Sequence, residues 1–225
     1  MTVATKILSF LKNIELTTKL PENVEVMNPF RDASTFQLCE SFYTKYYSDR
    51  NPRFIIIGIN PGRFGAGMTG VPFTDPVRLE TICGITNDFQ KKRELSSVFI
   101  YEMINAFGGP ENFYGRFYIS SISPLGFTKN NKNLNYYDDK ELEKKLKPFV
   151  IDNIEKQLRF GIKNEIAFCL GEGKNFHYLS RLNDEMKFFK KICPLPHPRF
   201  IMQYRLKAKE EYIDRYLREL NDMIQ

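Results

Sequence analysis

Apolar positions in this chain fall into two rhythms. Leu8, Leu11 and Ile14, and later Phe36, Cys39, Phe42 and Tyr43, recur at helical spacing, which predicts helices over residues 3–18 and 31–48. Phe54 to Ile57 is an unbroken apolar run and predicts a buried strand over 53–59. Three further strands are read at Phe117 to Ile122, Ile166 to Leu170 and Phe188 to Cys193. Helical stretches lie between them. Asp75 and Pro76 read as an N-cap and a first-turn proline, opening a short helix that ends near Gly84. Ser96 and Ser97 cap a helix over about 97–107, stopped by Gly108-Gly109-Pro110. The amphipathic stretch Asp138 to Phe160 carries Pro148 part-way, where a kink or break is expected. Residues 173–184 form another helix, and Lys207 to Ile224 a terminal one with Ile213, Tyr216, Leu217 and Leu220 on one face. The polar segment Lys129 to Asp139 reads as a surface loop.

Strands alternating with helices predict an α/β fold, a mostly parallel sheet with helices on both sides. No Ser/Gly-rich linker and no internal repeat divides the 225 residues. The expectation is one domain over residues 1–225, with the N-terminal helices of residues 1–50 packed on the sheet.

Composition narrows the function. No apolar run is long enough to span a membrane. The first twenty residues intersperse Lys6, Lys12, Glu15 and Lys19, unlike a signal peptide, so the protein is read as intracellular and cytoplasmic. The four cysteines, Cys39, Cys83, Cys169 and Cys193, lie far apart with no CxxC pair, which argues against a metal site. Net charge is +6. Between Met186 and Lys209 there are seven bases and no acid, a distribution that suits either a polyanion partner or a plain solvated surface.

The densest chemistry follows the first strand. Gly65-Ala66-Gly67-Met68-Thr69-Gly70 spells G-x-G-x-x-G. A dinucleotide site needs those glycines at a strand-to-helix turn, but here they start later and Val71-Pro72 stand where the helix should run. No G-K-[ST] occurs, so a phosphate loop of the nucleotide-hydrolase kind is excluded. Asn60 stands at the mouth of this loop. Far downstream, His197 is held between Pro196 and Pro198 after another predicted strand. Carboxyl ends of parallel strands share one sheet edge, so the amide and the imidazole meet there. An amide cannot act as a strong base but can hold a water, and an imidazole can donate to a developing anion. That pair suits loss of a good leaving group through a cation-like transition state, as in cleavage of an N-glycosidic bond.

Residues 58–73, GINPGRFGAGMTGVPF, resemble without gaps the first motif of the single-strand-selective monofunctional uracil-DNA glycosylases, GMNPGPFGMAQTGVPF. Pro196-His197-Pro198-Arg199 looks like the start of that family's second motif, HPSPRNPQ, and FYISSISPLGF at 117–127 is similar to its strand ending in N-x-C-P-L. The chain most resembles a bacterial second branch of the group. The resemblance implies a three-layer α/β/α uracil-DNA glycosylase fold around a four-stranded parallel sheet, with no metal and no cofactor. It implies a monomer that removes uracil from single- or double-stranded DNA, initiating base excision repair. Asn60 would position the attacking water, Phe73 stack on the flipped base, and His197 stabilise charge on its O2. Gly62 would leave room beside the base. Arg199, Phe200, Tyr204 and Arg205 would belong to a wedge entering the duplex.

Plainer readings stand beside these. Asn60 could cap its own loop, Phe73 could anchor the core, and Phe200, Ile201, Met202 and Tyr204 could be ordinary core. The chain also departs from the family pattern. Ser121 stands where the family has an asparagine that reads the base edge. Either the pocket accepts other deaminated bases, xanthine or hypoxanthine, or it reads the edge through backbone and water. Arg63 replaces proline and suits a phosphate contact, and Ala66 replaces a methionine, widening the pocket. The second motif lacks its inner Ser-Pro, so its loop takes another shape. The alternatives are an inactive DNA-binding protein of the same fold and a dinucleotide enzyme using the glycine loop.

Overall fold

The computed structural model describes residues 1–222. In chain order the elements are α1 (Val3–Asn13), β1 (Val24–Met27), α2 (Ala33–Tyr47), β2 (Arg53–Gly58), α3 (Ala66–Thr69), α4 (Pro76–Thr81), α5 (Leu95–Ala106), α6 (Pro110–Tyr114) and β3 (Phe117–Ser121). Then come β4 (Gly126–Lys129), β5 (Lys132–Leu134), α7 (Lys140–Leu158), β6 (Ile162–Leu170), α8 (Lys174–Met186), β7 (Lys191–Leu195), α9 (Pro198–Tyr204) and α10 (Lys209–Asn221). The predicted end of the last helix at Ile224 lies outside the described residues. No helix among the described residues is long and apolar enough to cross a membrane.

The four predicted strands form one parallel sheet of order β3-β2-β6-β7. The run Phe54–Ile57 is its centre, flanked on both sides and buried along its whole length. Helices surround the sheet, as the fold implied by the resemblance requires. Strand order reverses direction between β2 and β6. In open parallel sheets ligands bind outside the carboxyl ends of the strands at that point.

Several local expectations are corrected. Pro148 does not break α7, which runs unbroken from Lys140 to Leu158. Pro148 and Lys144 both face solvent, so the carbonyl that loses its partner reaches water. The helix after Gly84 begins at Leu95 rather than Ser97. Ser97 caps nothing in α5, because its Oγ accepts from the Asp75 N–H at 3.1 Å, while Asp75 Oδ2 accepts from the Glu94 N–H at 2.9 Å. The last strand starts three residues late, at Lys191. Asn183 takes up Phe189 through both backbone groups, turning that apolar pair out of the ladder. Pro194 is tolerated in β7 because β7 is an edge strand.

The largest difference lies in the polar segment read as a surface loop. Residues 126–134 form the hairpin β4-β5, and β1 pairs antiparallel to β4 to complete a three-stranded sheet. This small sheet stands against the mouth of the glycine loop. A side chain at Gly126 would meet the Pro61 carbonyl at 2.6 Å and Met27 at 2.4 Å, so backbone meets backbone there.

Candidate active site

All four parallel strands deliver residues to one cavity of about 610 Å³. β2 leads into Asn60 and Gly62, β3 ends on Ser121, β6 runs into Gly171, and β7 into Pro196 and His197. Phe73 and Ala66 come from the glycine loop, and Arg199, Phe200 and Tyr204 from α9. Nine of the eleven residues singled out from sequence therefore share one cavity. Arg63 and Arg205 stand outside it.

The glycines of the loop have distinct causes. A side chain at Gly58 would strike the Phe73 ring at 2.8 Å, so the bare backbone of β2 seats that ring. At Gly65 it would meet the Glu94 carboxylate at 2.3 Å, and at Gly67 the Gly62 carbonyl at 2.5 Å. Gly70 has φ +70°, where a side chain would be strained and would meet Cys39 Sγ at 2.4 Å. These glycines are required by packing within the protein. Gly62 is the exception: the nearest atom to a Cβ there is Asn133 Nδ2, at an ordinary 3.4 Å. Its bare face opens on the cavity.

Phe73 adopts φ +53°, a left-handed conformation costing about 1–3 kcal/mol for a non-glycine residue. Thr69 holds it there. Its hydroxyl reaches the carbonyls of Thr74 at 2.6 Å and Val71 at 3.3 Å, and the Thr74 N–H returns to Val71 at 3.2 Å. The half-buried ring lies 5.9 Å from the His197 ring. It packs on the core and faces the cavity at once.

Asn60 is held by a part of the chain that its own loop does not contain. Its Oδ1 accepts from the Tyr136 N–H at 3.0 Å, and Nδ2 donates to Leu134 O at 3.2 Å and Pro61 O at 3.4 Å. Turning the amide over would set N–H against N–H, so the orientation is determined by its partners. Both amide hydrogens are used. What remains toward the cavity is a lone pair on Oδ1, an acceptor only.

His197 is the N-cap of α9, with Pro198 at the first turn. Its Nδ1 accepts from the Arg199 N–H at 3.2 Å, which places the proton on Nε2. Burial, and secondarily the Arg199 charge, lower its pKa to about 4. The ring is therefore a neutral donor at physiological pH. Ser121 is buried at the end of β3 and lines the cavity.

The rim is cationic and aromatic. Phe200 and Tyr204 are exposed on α9 with ring centroids 5.7 Å apart, while Ile201 beneath them is fully buried. The segment after His197 is thus a helix, with only part of its apolar set in the core. Arg205 caps the end of α9 and lies over the Phe200 ring at 5.7 Å. Arg63 lies over the exposed Phe64 ring at 5.2 Å.

Several cavity residues escaped sequence reasoning. Glu94 lines the wall beside Gly65. Burial and the neighbouring Asp75 push its pKa up, against the pull of Arg199. Asn133 accepts from the Arg63 N–H at 3.2 Å through Oδ1. Lys174 reaches the rim from α8, 3.8 Å from Asp138 and over the Tyr137 ring. No sequence motif marked them, because each comes from a segment outside the motifs and reaches the cavity only through the fold. Among the described residues no group of three or more His, Cys, Asp or Glu side chains is placed to hold a metal ion. All four cysteines are buried thiols.

Comparison with known proteins agrees with this geometry. The family model of the uracil DNA glycosylase superfamily matches residues 44–221. Comparison with curated proteins finds no match. Among solved structures the chain is similar to the crystal structure of wild-type SMUG2 from Pedobacter heparinus. The two are 52% identical, the match covers 99% of this chain and 98% of that one, and the TM-score is 0.97. This chain belongs to the uracil DNA glycosylase superfamily, whose members act on DNA.

Proposed function

We propose that this protein is a monofunctional DNA glycosylase that hydrolyses the N-glycosidic bond of uracil, and of xanthine or hypoxanthine, in DNA as the first step of base excision repair. The observation that carries this reading is the complementary pair in one cavity. Asn60 presents only an acceptor and His197 only a neutral donor.

The target nucleotide leaves the stack and its base enters the cavity against Phe73. As the bond from C1′ to the base nitrogen lengthens, the sugar becomes oxocarbenium-like and the base gathers negative charge. With uracil in the site, the Nε2–H of His197 donates to the base oxygen O2 as that charge develops. A water donates to the free lone pair of Asn60 Oδ1, which turns its own lone pair toward C1′. Attack forms the C1′–O bond. The water's surplus proton passes to the departing base or solvent, since neither Asn60 nor His197 takes it. Gly62 gives the base and water room, and the Ser121 hydroxyl, able to donate or accept, meets the pairing edge of more than one base. Arg199, Phe200, Tyr204 and Arg205 fill the gap in the duplex and hold its phosphates, with Arg63 as a further phosphate contact outside the cavity. The enzyme acts as a monomer. A lyase step would need an amine nucleophile at C1′, and no lysine falls within either motif.

The test is incubation with uracil-, xanthine- and hypoxanthine-containing oligonucleotides, single- and double-stranded, with alkali-labile sites scored for wild type, Asn60→Ala and His197→Ala. Wild type yields abasic sites and both variants yield far fewer in the same time. Absence of abasic product on every substrate defeats the reading.

A further inference from the structure

The side chain of Asn60 reaches away from its own loop to residues 134–136, so its aim depends on where that stretch lies. β5 cannot fix it alone: it has three residues, pairs only with β4, and ends at Leu134. Asn135 and Tyr136 have already left the ladder. Two other anchors hold them. Asp138 Oδ2 accepts from the Asn135 N–H at 3.2 Å and from its Nδ2 at 2.8 Å. The Tyr136 ring is fully buried, edge-on to Tyr178 at 4.9 Å, and its hydroxyl donates to Asn175 Oδ1 at 2.9 Å. Asn175 in turn donates through Nδ2 to Leu170 O at 3.0 Å. One connected path runs from the end of β6 through Asn175 and Tyr136 to Asn60 at the end of β2. It bridges the point where strand order reverses.

We propose that Tyr136 is a positioning residue for the hydrolysis, bolted by its phenol to Asn175 so that its backbone N–H occupies one lone pair of Asn60 Oδ1 and leaves the other for the attacking water. This rests on the reading of Asn60 as the water holder. Without the bolt, the amide can rotate or drift, and displacement of about 1 Å at a reacting centre can cost about a hundredfold in rate.

The experiment is a double-mutant cycle on single-turnover excision from a uracil oligonucleotide, with DNA affinity and thermal unfolding measured alongside. Tyr136→Phe keeps the ring and removes the hydroxyl. It slows excision by roughly tenfold or more and leaves DNA affinity within about twofold of wild type. In an Asn60→Ala background the same substitution changes the residual rate little, because the group it positions is gone. Equal slowing in both backgrounds would mark a general structural role and overturn the proposal, as would an unchanged rate in Tyr136→Phe. If Tyr136→Phe does not fold, Asn175→Ala breaks the same hydrogen bond from the other side and is read by the same criteria. A wild type inactive on every deaminated base overturns the glycosylase reading and this proposal together. Active wild type with an indifferent Tyr136→Phe overturns this proposal alone.

Discussion

The glycine loop and the β4-β5 hairpin stand on either side of Asn60 and contribute in opposite ways. The loop supplies side chains and the spaces between them: Asn60, Ala66, Phe73 and the bare face of Gly62. The hairpin and the turn after it supply backbone, the Leu134 carbonyl and the Tyr136 N–H. The loop is written as a contiguous motif because side-chain identity is its function. The hairpin reads as a nondescript polar stretch, because a backbone group has no identity to display. A site can thus be conspicuous in its reactive half and silent in the half that aims it.

The largest expected effects lie on the reactive side. Asn60→Ala and His197→Ala each lower the excision rate by about 10²–10³, the scale of a lost transition-state hydrogen bond, and single-turnover kinetics measure it. A loss under tenfold in both would move the chemistry elsewhere. A second contrast separates glycines that serve the fold from the one facing the cavity. Gly67→Ala drives a methyl group into the Gly62 carbonyl, and overpacking of this kind costs about 1–3 kcal/mol of stability by denaturant titration. Gly62→Val leaves stability nearly unchanged and instead weakens turnover by filling the cavity. The reverse pattern would refute the assignment.

Protonation gives a smaller, signed effect. His197 has a folded pKa of about 4 against an ordinary 6.5, so the fold favours its neutral form. The stability it contributes is whole above pH 6.5 and is lost as pH falls toward 4. Excision limited by chemistry stays level between pH 8 and about 5 as far as this residue is concerned. Glu94 shifts the other way, with its ionised form disfavoured in the fold. Its contribution is present below its ordinary 4.5 and is lost as pH rises through the raised value. Glu94→Gln therefore melts higher than wild type at neutral pH, and the gap closes below pH 4.5. Equal melting temperatures at neutral pH would count against it. The smallest effect is a change of preference: Ser121→Asn shifts relative excision toward uracil over xanthine and hypoxanthine. An unaltered ratio removes Ser121 from base choice.

How far the sequence carried the fold follows from the same contrast. The strand Phe54–Ile57 was legible because it is buried on both faces and so reads as an apolar run. The hairpin was not, because β4 pairs with β1, about a hundred residues earlier, and two of the three residues of β5 are polar and exposed. Asn60, Phe73 and His197 stood out through unusual neighbours, glycines and prolines. Glu94 did not, since what makes it unusual is the empty space at Gly65, visible only once the two loops meet. Asn175 looked like any residue in the first turn of a helix, and its partner is a phenol from a segment with no periodicity.

His197 caps the helix that carries Phe200 and Tyr204. The imidazole and the aromatic rim are therefore two ends of a single rigid rod about 10 Å long, and neither can be displaced without turning the other. On the proposed reading, seating the rod in the duplex and bringing the donor onto the base are mechanically geared. A poorly seated helix would then carry its own penalty in rate, and the quality of the grip on DNA would be transmitted to the bond being broken.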